Sequence, residues 1–165
     1  MRIEPFSEEH WRRFRAVRLR ALADTPDAFA RTLAEETAFP EADWRRRLTS
    51  GAKTFVAVLG DEDVGLVTGG AWDGRHKTAG LFGMWVAPEA RHRGVGKALV
   101  LSVVDWAKSA EFEVLVLDVA DDNRPAIALY ERAGFQPTGN VGTLPPPREY
   151  VKEHERSLLL CRREV

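Results

Sequence analysis

The chain has 165 residues, 44% hydrophobic and 30% charged, the balance of one globular domain rather than a disordered segment. Twenty-four Lys and Arg against 25 Asp and Glu leave a net charge of −1, which excludes the strongly basic surface of a dedicated nucleic-acid binder. The single cysteine, Cys161, excludes an intrachain disulfide and a cysteine-built zinc site; the four histidines are scattered, so no metal is expected. The first residues lack the charged-then-apolar build of a signal peptide, and no apolar run nears the roughly 18 residues of a membrane span. A cytoplasmic protein with neither membrane nor nucleic acid as partner is expected.

In chain order, a short strand is expected at 3–6. Ser7 followed by Glu8 and Glu9 reads as a helix start, because a hydroxyl and acidic side chains suit the free N–H groups there. Trp11, Phe14, Val17, Leu19 and Leu22 follow at mostly helical spacing, and the arginines between them read as the solvated face of a docked helix. Asp24-Thr25-Pro26 breaks the chain, and helices are expected over 28–37 and 41–48. Strands follow at 54–59 and 64–72, joined by a hairpin loop at 60–63, and at 79–87, closed by Pro88. A helix over 95–108 places Val95, Leu99, Val103 and Trp106 along one face. The Val-Leu-Val-Leu run within 113–119 reads as a strand buried on both sides. A helix over 125–133 stops at Gly134, Pro145, Pro146 and Pro147 form a rigid loop, and a last strand covers 157–161. The order gives one mixed α/β domain over 1–165 with at least one strand-helix-strand crossover.

The chemistry concentrates where a basic loop meets two glycines: Arg91, His92, Arg93, Gly94, Val95, Gly96 and Lys97. Glycine lets the backbone approach a ligand, first-turn N–H groups are unpaired, and the helix dipole favours anions. The stretch therefore suits a pyrophosphate, or equally a plain surface turn. Two better-known phosphate loops fail. Arg91 stands where a Walker loop needs its first glycine and Ala98 where it needs Ser or Thr; Leu99 stands where a dinucleotide fingerprint needs its third glycine.

Arg91-x-x-Gly94-x-Gly96, preceded by Val86-x-Pro88 at a strand exit, resembles the cofactor signature of the GNAT superfamily of acetyl-CoA-dependent N-acetyltransferases. Residues 123–135, from Asn123 through Leu129-Tyr130 to Gly134-Phe135, resemble that family's downstream motif and likewise follow a buried strand. The resemblance is clear over 54–136. It implies a GNAT-like fold, a central, mostly antiparallel twisted sheet flanked by helices, with acetyl-CoA as cosubstrate. It further implies that backbone amides from Arg91 to Gly96 hold the CoA pyrophosphate, that Trp85 and Val86 pair with the pantetheine amides, and that Asn123 lies beside the pantetheine arm. Tyr130 is implied as the general acid for the departing thiolate. A phenol with an ordinary pKa near 10 is neutral and can donate; a core-packing aromatic is the alternative.

Many members of that family place a glutamate on the strand before the phosphate loop. Residues 79–86 hold no carboxylate, which leaves ordered water or Glu35, Glu36, Asp73, His76 and His154 as candidate bases. Segments 24–39 and 138–150 are expected to shape the acceptor site. There Asp24, Asp27, Glu35 and Glu36 either attract a cationic amine or serve as caps and surface charges. Phe39, Trp44 and Trp72 either line a pocket or pack in the core. The expected function is acetyl transfer from acetyl-CoA to the primary amine of a small molecule, by direct attack in a ternary complex, with no nucleophilic role for Cys161. The alternatives are a non-catalytic acyl-CoA sensor and acetylation of a protein N-terminus or lysine. The resemblance also implies a homodimer, with Trp11 or Trp44 as interface candidates.

Overall fold

The computed structural model describes residues 1–160; Cys161, with the end of the expected last strand, lies outside the described residues. Strand β1 (Arg2–Pro5) leads into a 3₁₀ turn at Glu8–His10 and helix α1 (Trp11–Asp24). The Ser7 backbone N–H donates to His10 Nδ1 at 2.9 Å, which fixes that extra turn ahead of α1. Helix α1 buries Phe14, Val17, Ala21 and Leu22. Its arginine face is not wholly solvated as expected: Arg18 is buried against Glu36.

The helix expected over 28–37 is much shorter. A 3₁₀ turn (Pro26–Ala28) gives way to extended backbone at Phe29, and α2 covers only Leu33–Thr37, where the Thr32 hydroxyl accepts from the Glu35 N–H at 3.2 Å. The physical reason is Arg148. Its guanidinium donates to the carbonyls of Pro26 (2.8 Å), Phe29 (2.9 Å) and Ala30 (2.6 Å), and the last two are oxygens that a helix over 28–37 would have used for its own N–H groups. Helix α3 (Glu41–Arg47) follows.

Strands β2 (Lys53–Leu59) and β3 (Glu62–Ala71) form a hairpin, then come β4 (Thr78–Val86), α4 (Val95–Ser109), β5 (Val114–Ala120), α5 (Arg124–Arg132), β6 (Gln136–Thr143) and β7 (Lys152–Leu159). They build one seven-stranded sheet in the order β1-β2-β3-β4-β5-β7-β6, antiparallel except for β4 beside β5, which α4 connects. This is the expected mixed α/β architecture. Two features differ from the sequence reading. β6 is an unexpected strand, and β7 starts five residues before the strand expected at 157. Every residue of β6 is exposed and its sequence carries Pro137, Gly139 and Gly142, so no alternation marks it; pairing with β7 makes it a strand.

Helix α4 sets Val95, Leu99 and Val103 into the core. Trp44 is fully buried, its ring edge-on to Phe14 with centroids 5.4 Å apart and 6.0 Å from Phe39. It is thus a core residue, neither an interface nor a pocket residue.

The site is positioned by how β4 and β5 part. They pair only over 78–80 and 114–116. Just beyond, β4 carries a bulge: Trp85 lies opposite Leu66 and Phe82 opposite Thr68, three steps on β4 against two on β3. Gly83 sits in the bulge at φ +60°, a conformation costing other residues roughly 1–2 kcal/mol. The bent strand swings away from β5 and opens a cleft.

A candidate active site between the diverging strands

The cleft is lined by Met84 of β4, Asp118 of β5, Leu129 and Tyr130 of α5, Asn123 at the cap of α5, and Glu153 of β7, with Ala28 at its rim. Asn123 Oδ1 accepts from the Ala126 N–H at 3.4 Å, which turns the chain from β5 into α5. That turn brings Tyr130 back onto the cleft wall. The Tyr130 ring packs against Phe135 with centroids 5.8 Å apart and only 5% of the residue is exposed. Its hydroxyl makes no hydrogen bond to a described residue. Burial pushes its pKa well above the ordinary value of 10, so the group is neutral and keeps its proton.

The basic loop ends at Gly94, the N-cap of α4 at φ +80°, with His92 also left-handed at φ 61°. The first intrahelical bond at this end runs from the Ala98 N–H to the Gly94 carbonyl, leaving the amides of Val95, Gly96 and Lys97 without helical acceptors. This helix end abuts the cleft: a Cβ on Gly96 would lie 3.1 Å from Leu129 Cδ2 and 3.4 Å from Met84 Cε. His92, Arg93 and Lys97 are exposed and form no ion pair among the described residues. Unpaired amides, a helix N-terminus and two cations together fit a diphosphate.

Arg91 and Trp85 are placed differently. Arg91 donates from Nε to the Val86 carbonyl at 3.0 Å and from Nη2 to Asp24 Oδ2 at 2.6 Å, while the buried Trp85 indole donates to the same oxygen at 3.0 Å. Both side chains therefore anchor the loop to α1. The Trp85 hydrogen bond, then Arg91, hold the Asp24 carboxyl below its ordinary pKa.

None of the five candidate bases lines the cleft. Glu36 is fully buried and accepts from Arg18 Nη2 (2.8 Å) and Arg47 Nη1 (2.6 Å). Burial alone would raise its pKa, but Arg18 and Arg47 outweigh it and the net direction is down. Glu35, Asp73 and His76 are exposed elsewhere, and His154 Nε2 lies 2.9 Å from Asp121. The acidic groups expected near the acceptor are similarly committed: Asp24 and Glu36 to arginines, and Asp27 4.0 Å from Arg148. Trp72 stacks on Phe82 with centroids 5.6 Å apart and does not line the cleft.

The carboxylates that do line it are Asp118 and Glu153, which the sequence reading missed. Burial, then the charge of Glu155, raises the pKa of Asp118, although Asp118 is partly exposed at the cleft mouth. Burial, then Asp118, raises that of Glu153. The available signal was a charge interrupting a strand otherwise apolar on both faces.

Residues 6–135 match the family model described as "Acetyltransferase (GNAT) family". A mycothiol acetyltransferase of Pseudarthrobacter chlorophenolicus is 33% identical over 127 residues, covering 73% of this chain and 37% of that protein. The chain spans less than half the length of the curated relatives it matches. A ribosomal-protein-alanine N-acetyltransferase from Brucella melitensis superposes with a TM-score of 0.79 at 20% identity, covering 97% of this chain and 100% of that one. The yncA protein of Salmonella typhimurium, solved with its cofactor acetyl-CoA, gives 0.78 at 17% identity over 100% and 96% of the two chains. At these identities the two structures establish the shared fold.

Proposed function

This chain belongs to the acetyltransferase (GNAT) family, and we propose that it transfers the acetyl group of acetyl-CoA to the primary amine of a small molecule, by direct attack in a ternary complex. The observation that carries this reading is Tyr130, a buried residue whose neutral hydroxyl has no protein partner, on the wall of the cleft beside the α4 N-terminus.

The residues present fit the cosubstrate. The Arg91 N–H donates to the Pro88 carbonyl at 3.3 Å, so the amides of Val95 and Gly96, with His92, Arg93 and Lys97, are the part of the expected cradle that suits its pyrophosphate. The β4 edge at Trp85 and Val86, past the end of the β4–β5 ladder, suits the amides of the pantetheine arm, with Asn123 beside it. When bound, acetyl-CoA supplies an activated acyl carbon. Tyr130 holds a proton at its hydroxyl and gives it to the departing sulfur; burial keeps that proton in place across the working pH range. Arg148 ties the 145–150 loop to the carbonyls of Phe29 and Ala30, next to Ala28 of the cleft, which favours a small amine over a peptide.

Thermal unfolding with acetyl-CoA, with ATP and NAD as controls, tests the cofactor. Ligand at about 100 times its Kd adds roughly 2.7 kcal/mol, a rise on the order of 5–10 °C for this length. Tyr130→Phe then lowers kcat by roughly 10²–10⁴-fold while acetyl-CoA affinity holds. Unchanged turnover removes Tyr130 from the reaction, and an acetyl-CoA shift without thiol release from any amine favours the sensor alternative.

A further inference from the structure

The cleft has a second wall that the steps above leave unused, and there we propose the acceptor subsite: Asp118 and Glu153 bind a primary alkylammonium, and Asp118 takes one of its protons. This rests on the acetyltransferase reading and names the acceptor class, a cationic alkylamine.

Strand register puts the two carboxylates together. Asp118 lies opposite Glu155 and Ala120 opposite Glu153 in the β5–β7 ladder, so 118, 153 and 155 share one face of the sheet. Helix α5 covers the other face, where Arg156 meets Glu131 at 3.2 Å and Leu158 lies against Gly134. Asp118 and Tyr130 therefore line the same cleft from opposite sides of the sheet. One side is furnished with an acceptor for the proton leaving nitrogen and the other with a donor for the proton reaching sulfur.

The charges on the Asp118 face do not cancel. Glu155 is saturated: it accepts from Arg75 Nη1 (2.9 Å) and Nη2 (2.8 Å), Thr138 (2.9 Å) and Asn140 (3.0 Å). Arg148 spends its donors on three carbonyls. Neither the Asp118 nor the Glu153 side chain has a hydrogen bond or ion pair among the described residues. Arg75 is committed to Glu155 and Arg148 to three carbonyls and Asp27, so the carboxylates of Asp118 and Glu153 are left without a paired cation, which suits an ammonium. Tyr130, a residue only 5% exposed whose hydroxyl has no protein partner, lines the same cleft, which marks the space as a ligand's.

The proton step balances. One N–H bond of the ammonium breaks, its electron pair stays on nitrogen as the attacking lone pair, and the proton forms an O–H bond on Asp118. It then passes to water at the mouth, where Asp118 is exposed. Burial, then the charge of Glu155, raises the proton affinity of Asp118, opposed by Arg75, and burial, then Asp118, raises that of Glu153, opposed by Arg148.

Ethylammonium chloride is the probe, titrated into protein labelled with ¹³C at Asp and Glu carboxyls, with sodium chloride at equal ionic strength as control. The resonances of Asp118 and Glu153 shift saturably with ethylammonium alone, and Asp118→Asn or Glu153→Gln weakens binding about tenfold. Shifts no larger than those of the exposed Glu35 and Asp73 overturn the subsite, and this arm needs no variant to fold. In turnover, Asp118→Asn lowers kcat/KM for alkylamines about 10²-fold or more, while p-anisidine, already unprotonated at pH 7, is nearly unaffected. Equal loss on both amines overturns the proton-taking role. Ammonium binding without an acetyl-CoA thermal shift sinks the acetyltransferase reading alone; the thermal shift without a carboxylate response sinks the subsite alone.

Discussion

Glu36→Gln removes the one anion that holds α1, α2 and α3 together. In the native protein Glu36 is fully buried, and the side chains of Arg18 and Arg47 are 10% and 32% exposed. Four contacts converge on the carboxylate: Arg18 Nε at 3.1 and 3.2 Å, Arg18 Nη2 at 2.8 Å and Arg47 Nη1 at 2.6 Å. The amide keeps the shape and one acceptor but leaves two guanidinium groups facing each other without a counter-charge. Breaking a buried pair by removing one partner costs roughly 3–5 kcal/mol. Arg47 reaches water, so the lower end applies, and about 3 kcal/mol corresponds to a fall of roughly 6–12 °C at this chain length. Urea unfolding at pH 7 reads this as a lower midpoint at unchanged slope. The variant Arg18→Met/Glu36→Leu/Arg47→Met removes every charge and recovers most of the loss, since apolar replacement of a buried cluster is commonly neutral or better. A loss under about 1 kcal/mol for Glu36→Gln, the range of exposed pairs, would refute the reasoning. So would a triple variant as unstable as the single one: the arginine stacks on Phe29 (4.6 Å), Phe14 (4.9 Å) and Trp44 (5.0 Å) would then carry the stability.

Two other outcomes follow from the same structure. Gly94→Ala adds a Cβ that meets nothing within 4 Å, so its cost is the left-handed backbone alone, roughly 1–2 kcal/mol; calorimetry shows a lower Tm together with weaker acetyl-CoA binding, and an unchanged Tm means that the loop relaxes freely. The pH dependence of stability has two opposed parts. Asp24, Glu36 and Glu155 have lowered folded pKa values, so they stabilise above their unfolded values near 4 and that contribution is lost as pH falls through the folded ones. Asp118 and Glu153 have raised values, so their contribution is present below the unfolded pKa and is lost as pH rises through the folded one. Asp118→Asn/Glu153→Gln therefore raises Tm at pH 7 and not below pH 4; thermal scans from pH 3 to 8 check this, and equal Tm values at pH 7 contradict it.

The cofactor half of the molecule was legible in the sequence because it is written in local terms. Val95, Leu99 and Val103 repeat at helical spacing, Gly94 sits at the one position of the α4 cap that demands a positive φ, and Tyr130 follows Asn123 within a single capped helix. The acceptor half was not, because it is written in register. Asp118 looks like an interruption in an apolar strand and Glu153 like one charge in the polar run 152–156; only the β5–β7 ladder shows that they share a face. The shortened helix near 28–37 has the same origin, since the residue that takes its carbonyls lies more than a hundred positions away. Glu36 misleads in the opposite direction: it looks like an exposed carboxylate of a polar helix, and tertiary packing makes it the most enclosed charge described.

The bonds from Arg148 to Pro26, Phe29 and Ala30 cross 118 to 122 positions of sequence, whereas the anion cradle is assembled within a dozen consecutive residues around Gly94. Contacts of such different span close at different stages of folding, because a long loop must be ordered before a distant pair can meet. The loop-closure cost therefore falls on the contact between 145–150 and 26–30 and hardly at all on the turn around Gly94. The same separation lets the two halves vary independently: changes in 24–30 or 145–150 leave the loop around Gly94 untouched, so, on the proposed assignment, a single fold can change its acceptor and keep its donor.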